Sequence, residues 1–155
     1  MSALDLEKYV NENPLFAGLS KEQLHRVFDG AHEEYFAKDR FMFRQEGEAS
    51  SFYLIREGKV SLEASAPGRP PITLQTLGPG DVLGWSWMLP PHTWNFDARA
   101  LETTLAVTMD GENLLKLVRE DDKLGNLLTH RFLRVVVQRL QAARVQLLDL
   151  YAQKA

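Results

Sequence analysis

The sequence predicts a mainly β fold flanked by α-helices, and three observations carry that expectation. Across residues 33–109, short apolar or alternating runs are separated by glycine and proline turn signals at close intervals. That is the pattern of a sandwich, jelly roll or barrel. Helical periodicity is confined to the two ends, 1–32 and 110–155. The 155 residues contain no low-complexity tract and no internal repeat, so one domain spanning 1–155 is expected.

In 1–32, Leu4 and Tyr9 sit in a polar helical start. Asn13-Pro14 interrupts it, because a residue before proline is pushed out of helical geometry. Ser20-Lys21-Glu22-Gln23 then has the capping-box form, a serine cap with glutamine three positions on. Leu24, Val27 and Phe28 follow at helical spacing, which predicts a short amphipathic helix.

In 33–109, Phe41–Phe43 and Phe52–Ile55 are short apolar runs, whereas Val60–Ala64 and Ile72–Leu77 alternate with polar residues. Turn signals fall between them at Glu46-Gly47, Glu57-Gly58, Pro67-Gly68 and Gly78-Pro79-Gly80-Asp81. Leu101–Met109 gives a last alternating strand. Gly47, Gly58, Gly78 and Gly80 read as turn glycines, and Gly84 as a place where backbone is approached closely.

In 110–155, Asp110 opens a short helix carrying Leu114, Leu115, Leu117 and Val118. A long helix follows Asp121-Asp122; from Asn126 to Tyr151 it would run about 39 Å. Leu133, Val136, Leu140, Ala143, Leu147 and Leu150 step by three and four, a coiled-coil seam. Leu128, Phe132 and Val135 lie on another face, free to pack on the β domain. A helix that outlasts its small domain favours a partner helix, most simply from a second copy. A single core helix with a wide apolar stripe is the alternative. In a parallel homodimer Arg139 and Arg144 would face each other at g and e positions, which opposes that arrangement unless water screens them, the crossing is splayed or an acidic partner sits alongside.

Composition narrows the function. Lys+Arg number 18 against 21 Asp+Glu, a net charge of −3, which argues against a dominant nucleic-acid or anionic-membrane surface. With no cysteine, disulfides, thiolate metal sites and thiol nucleophiles are excluded. No apolar run approaches the ~18 residues of a membrane span. The first twenty residues carry Asp5, Glu7, Lys8 and Glu12 without an apolar core, so a cytoplasmic protein is expected. His25, His32, His92 and His130 are widely spaced, with no HExxH pattern. Ser50, Ser51 and Ser86 lack a nucleophile-elbow context, and there is no P-loop. Catalysis, metal and cofactor are not expected. One feature is unusual: Trp85, Trp87 and Trp94, all the tryptophans of the chain, fall within ten residues.

Several stretches resemble a known family. Residues Phe41–Val60, FMFRQEGEASSFYLIREGKV, are similar to the entry strands of cyclic-nucleotide-binding domains. Residues Gly78–Gly84, GPGDVLG, resemble the approach to that family's phosphate-binding cassette, and Asn13–Ser20, NPLFAGLS, its opening helical segment. The resemblance covers roughly 13–150. It implies an eight-stranded β-roll flanked by helices, with the cassette at about 78–100. It also likens the long C-terminal helix to the dimerising helix of the catabolite activator protein class. Members that bind DNA carry a helix-turn-helix after that helix; this sequence ends at Ala155 and is expected to represent the sensor part without it.

The resemblance also assigns roles within the cassette. A glutamate just after the glycine would hold the ribose, an arginine would neutralise the cyclic phosphate, and backbone amides would receive it. Here the glycine is Gly84, but the glutamate position is Trp85, the arginine position Trp94, and the following Ser/Thr position Asn95. Losing one charge-assisted phosphate contact costs about 1.5–3 kcal/mol, so tight binding of cyclic AMP or cyclic GMP is not expected. The candidate ligand-binding set is Gly84, Trp85, Ser86, Trp87, Trp94, Asn95 and Arg99. Three readings of the indoles stay open: core filling an abandoned pocket, walls of a changed pocket, or a protein-docking patch beside Pro90-Pro91-His92. Asp97 and Arg99, two apart on a strand, read as an outward ion pair, with Arg99 a substitute anion anchor only if it faces inward. The expected function is a non-catalytic regulatory or interaction module acting on a protein partner, with a small-molecule sensor as the alternative.

Overall fold

A computed structural model describes residues 3–153. Met1, Ser2, Lys154 and Ala155 of the expected 1–155 domain lie outside them. Helix α1 (Ala3–Glu12) ends at Asn13-Pro14, where the Asn13 side chain takes over the turn. Its Oδ1 accepts the Leu15 N–H at 2.9 Å, and its Nδ2 donates to the Gly80 carbonyl at 2.9 Å. Helix α2 (Lys21–Phe28) begins at the expected capping box: Gln23 N–H donates to Ser20 Oγ, and Ser20 N–H to Gln23 Oε1.

Eight strands follow: β1 (His32–Phe36), β2 (Phe41–Phe43), β3 (Ser51–Glu57), β4 (Val60–Ala64), β5 (Ile72–Leu77), β6 (Val82–Leu83), β7 (Asp97–Ala100) and β8 (Thr104–Asp110). They form two four-stranded antiparallel sheets, ordered β1-β8-β3-β6 and β2-β7-β4-β5. Helices α3 (Gly111–Glu120) and α4 (Asp122–Gln153) close the chain. Asp110 caps α3 by accepting the Glu112 N–H at 3.0 Å. The 32 residues of α4 make it about 48 Å long.

Two cores result. One lies between the sheets, inside the roll, and holds Phe43, Tyr53, Ile55, Val60, Leu62, Trp94, Ala98 and Ala100 among others. The other lies between the β1-β8-β3-β6 sheet and the helices, with Phe16, Phe52, Leu54, Trp87, Val107, Leu114, Leu128 and Phe132. Strand β3 sits between both: Tyr53 and Ile55 point into the roll, Phe52 and Leu54 toward the helices. A strand covered on both faces is apolar without alternation, which is why Phe52–Ile55 reads as an uninterrupted run. Leu128 and Phe132 pack on the β domain as their spacing suggests.

The α4 surface divides differently from a strict heptad. Leu133, Leu140 and Leu147 are exposed, and so are Val137, Leu148 and Tyr151. Val136, Ala143 and Leu150 are half-buried, and the first two of these face the molecule's own β-roll. Arg139 is also drawn inward: its Nη2 donates to the Val82 carbonyl at 2.6 Å, while Arg144 remains exposed. Among the described residues, no helix is long and apolar enough to cross a membrane.

Candidate functional site

The candidate site is the connection from β6 to β7. Gly84 leaves β6 with φ +98, a conformation that side-chain-bearing residues rarely adopt. Trp85 follows, then a single 3-10 turn, Ser86–Met88. After the Pro90-Pro91 corner the chain returns through a bridge between Thr93 and Glu48. Trp94 is then pinned by its backbone: its N–H donates to the Gly47 carbonyl at 3.0 Å, and its carbonyl accepts the Glu46 N–H at 2.8 Å.

The three indoles go to three places. Trp94 enters the roll, where only 5% of its surface stays exposed. It stacks on Phe43 with ring centroids 3.8 Å apart and planes 12° apart. The far end of its six-membered ring rests on Gly84, where a Cβ would stand 2.8 Å from Cη2 and Cζ3. Trp87 turns the other way, into the helical core. It stacks on Phe52 (5.4 Å) and meets the edge of Phe132 of α4 (5.1 Å), and its Nε1–H donates to the Gly84 carbonyl at 3.2 Å. Trp85 stays half-buried, edge-on to Phe96 at 5.2 Å.

Trp85 and Phe96, with Leu62, Leu74 and Gln75, form one wall of a cavity of about 250 Å³; Val136, Arg139, Leu140 and Ala143 of α4 form the other. The lining is apolar except at two points. Gln75 Oε1 and Arg139 Nε are shut away from solvent without a hydrogen-bond partner. A buried donor or acceptor left unpaired costs about 1–3 kcal/mol, and both atoms belong to residues of this lining. Burial holds the Arg139 guanidinium below its ordinary pKa, with Asp81 working partly against that. Neither residue carries a ligand signal in the sequence: Gln75 is a polar position of the alternating run Ile72–Leu77, and Arg139 falls at a g position beside the seam.

The remaining candidates are not all brought here. Ser86 is buried in the 3-10 turn and Asn95 is exposed. Asp97 and Arg99 do not pair with each other. Residues two apart on a strand are separated by roughly 6.6 Å, and both find closer partners. Arg99 forks onto Glu63 across the sheet, with Nη2 to Oε2 at 2.8 Å, and reaches Asp39 at 3.1 Å. Asp97 accepts the Gln45 N–H at 2.7 Å and the Ser65 hydroxyl at 2.8 Å, with Arg44 at 3.4 Å. Nor is this a solvated pair, since Asp97 is only 2% exposed. Arg99 thus points away from the roll interior that Ala98 and Ala100 enter, with its guanidinium committed elsewhere. Trp87 and Trp94 are buried and Trp85 is half-buried. Among the described residues no His, Asp or Glu cluster could hold a metal ion.

The family model of the cyclic nucleotide-binding domain matches residues 33–121, which include every strand but the first residue of β1. The chain belongs to the cyclic nucleotide-binding domain family. The "Cyclic AMP receptor protein" of Thermus thermophilus is 27% identical over 135 residues, 87% of this chain and 61% of the relative. The mouse "cGMP-dependent protein kinase 2" is 24% identical over 126 residues, 80% of this chain but 16% of the kinase. This chain therefore spans less than two thirds of either protein. Among solved structures, the Thermus thermophilus catabolite activator protein superposes with a TM-score of 0.69 at 28% identity, over 90% of this chain and 63% of that one. The sensor domain of the transcriptional regulator DNR from Pseudomonas aeruginosa shares the fold, with a TM-score of 0.76 at 18% identity over 90% and 93%. In this cyclic nucleotide-binding domain, the two positions where the resemblance expects charged anchors hold Trp85 at a cavity wall and Trp94 inside the roll.

Proposed function

We propose that this domain is a non-catalytic regulatory module that does not hold a cyclic nucleotide tightly. In its place it takes a small, flat, largely apolar molecule beneath α4. The observation that carries this is the largely apolar cavity between Trp85 and Ala143, whose two polar lining residues, Gln75 and Arg139, each hold a buried atom without a hydrogen-bond partner. Trp94 supports the negative half of the reading, because its ring stands against Gly84, where the family resemblance puts the phosphate. A bicyclic ring with one donor and one acceptor on an edge suits the positive half. A ligand there touches both the roll and α4, so its arrival would shift the balance between α4 positions. Trp87, wedged between the Gly84 carbonyl and Phe132, is a second link from the cassette to that helix. We read the exposed Leu133, Val137, Leu140 and Leu147 as the face through which two copies pair, which would carry the signal between chains.

Calorimetry with benzimidazole and with its hydrocarbon counterpart indene tests the cavity. The reading predicts saturable binding of benzimidazole, at least about tenfold weaker binding of indene, since a site with buried polar groups rejects the analogue lacking them, and loss of both in Ala143→Trp. Absence of saturable benzimidazole binding, or binding undiminished by Ala143→Trp, overturns it.

A further inference from the structure

On the far side of Arg139 from the apolar cavity lies a cleft of about 230 Å³, between the α1–α2 connection (Asn13–Leu15), the β5–β6 turn (Gly80–Val82) and α4. Three arginines, Arg131, Arg134 and Arg139, line it together with Gln138. Arg131, Arg134 and Gln138 follow i, i+3, i+7 spacing, which puts them on one helix face. A shallower groove shares Pro14, Arg131 and Arg134 and extends along α4 past His130.

These cations have no anionic partner in a salt bridge among the described residues. Arg131 Nη1 donates to the Leu15 carbonyl at 2.9 Å and Arg139 Nη2 to the Val82 carbonyl at 2.6 Å. Neutral carbonyls hold these two guanidinium groups in place without discharging them. Among the described residues the Arg134 side chain makes no hydrogen bond or ion pair, and it stands exposed at the mouth. The one acid in the lining is Asp81, whose Oδ2 is occupied by the Gly78 N–H. The cleft therefore carries a local charge of about +2 on a chain of net charge −3. Pre-positioned guanidinium groups with free donors are suited to planar or tetrahedral oxyanions, which they bind through paired N–H donors.

From this geometry we infer that the cleft is an anion site for a small phosphate-bearing ligand, with Arg131 and Arg139 as the fixed walls and Arg134 as the closing contact. The site is separate from the Gly84 cassette, where Trp94 stands. Arg139 borders both cavities, whereas Arg131 and Arg134 border only this one, so Arg134→Gln tests this site apart from the apolar-cavity reading.

Calorimetric titrations of the intact chain with inorganic phosphate, pyrophosphate and AMP, against sodium chloride at matched ionic strength, test the site. The expected result is one saturable site for pyrophosphate. It is weakened about tenfold or more in Arg134→Gln and unchanged in Arg144→Gln, an exposed helix arginine outside the cleft. Because Arg134 is exposed and its side chain makes no hydrogen bond or ion pair among the described residues, Arg134→Gln should melt with the parent, so loss of binding cannot be ascribed to unfolding. AMP binding more tightly than inorganic phosphate would make the ligand a nucleoside phosphomonoester; equal binding would make it the free anion. The inference is overturned by heats no larger than those of chloride, by an Arg134→Gln variant that binds undiminished, or by equal weakening in Arg144→Gln. Binding of a short DNA duplex without binding of pyrophosphate would overturn it as well.

Discussion

The six-membered ring of Trp94 lies against the backbone of Gly84 so closely that a Cβ there would stand 2.8 Å from two ring carbons. Phe43 covers the indole 3.8 Å away. One aromatic side chain thus joins the start of the cassette to its end and occupies the roll interior between them. Gly84 is needed twice over, for its φ of +98 and for the space its missing side chain leaves.

Gly84→Ala should therefore destabilise the domain by about 2–4 kcal/mol, combining left-handed backbone strain with overpacking. Chemical denaturation measures it. The overpacking part depends on the ring, so the same substitution in a Trp94→Leu background should be milder by about 1 kcal/mol or more. Equal effects in both backgrounds would mean that the ring does not press on Gly84.

Asp97 sets an acid-sensitive element. Burial alone would raise its carboxyl pKa, but the Gln45 N–H, the Ser65 hydroxyl and Arg44 outweigh burial and hold it below the ordinary value of 3.8. A carboxyl depressed in the folded state stabilises fully above its unfolded pKa and loses that contribution as pH falls through the folded one. The parent should lose stability below about pH 3.8, beyond what an Asp97→Asn variant loses over the same range. Thermal melts of both across the acid limb give the comparison, and parallel curves would contradict it.

Much of this was legible in the sequence, and the parts that were not have physical reasons. The capping box at Ser20 and the break at Asn13-Pro14 are local chemistry, and local chemistry is written in neighbouring residues. The run Phe52–Ile55 announced a strand because both its faces are covered. Strand β1, HEEYF, did not, since it lies at a sheet edge and buries only Phe36. The pairing of Arg99 with Glu63 rather than Asp97 depends on which strand lies beside β7, a long-range fact. The α4 pattern showed an apolar seam, but not that Val136 and Ala143 would turn toward Trp85, because helix rotation is decided by the surface it docks on.

Pairing of two chains through α4 predicts that Leu147→Asp shifts sedimentation to a monomer. Leu147 is the position to change, because Leu140 also borders the cavity. A charge buried in such an interface costs several kcal/mol unless paired. An unchanged sedimentation coefficient would place the contact elsewhere.

The central claim is that Trp94 and Trp85 have replaced the charged anchors and closed the phosphate end of the cassette. Calorimetric titration of the intact domain with cyclic AMP tests it most directly. With the arginine cleft weakened by Arg134→Gln, the account predicts no saturable heat up to about 1 mM, the affinity expected when only about 4 kcal/mol of binding remains. Saturable one-site binding at about 10 µM or tighter that persists in Arg134→Gln and in Ala143→Trp, and therefore lies in neither the arginine cleft nor the α4 cavity, would contradict it.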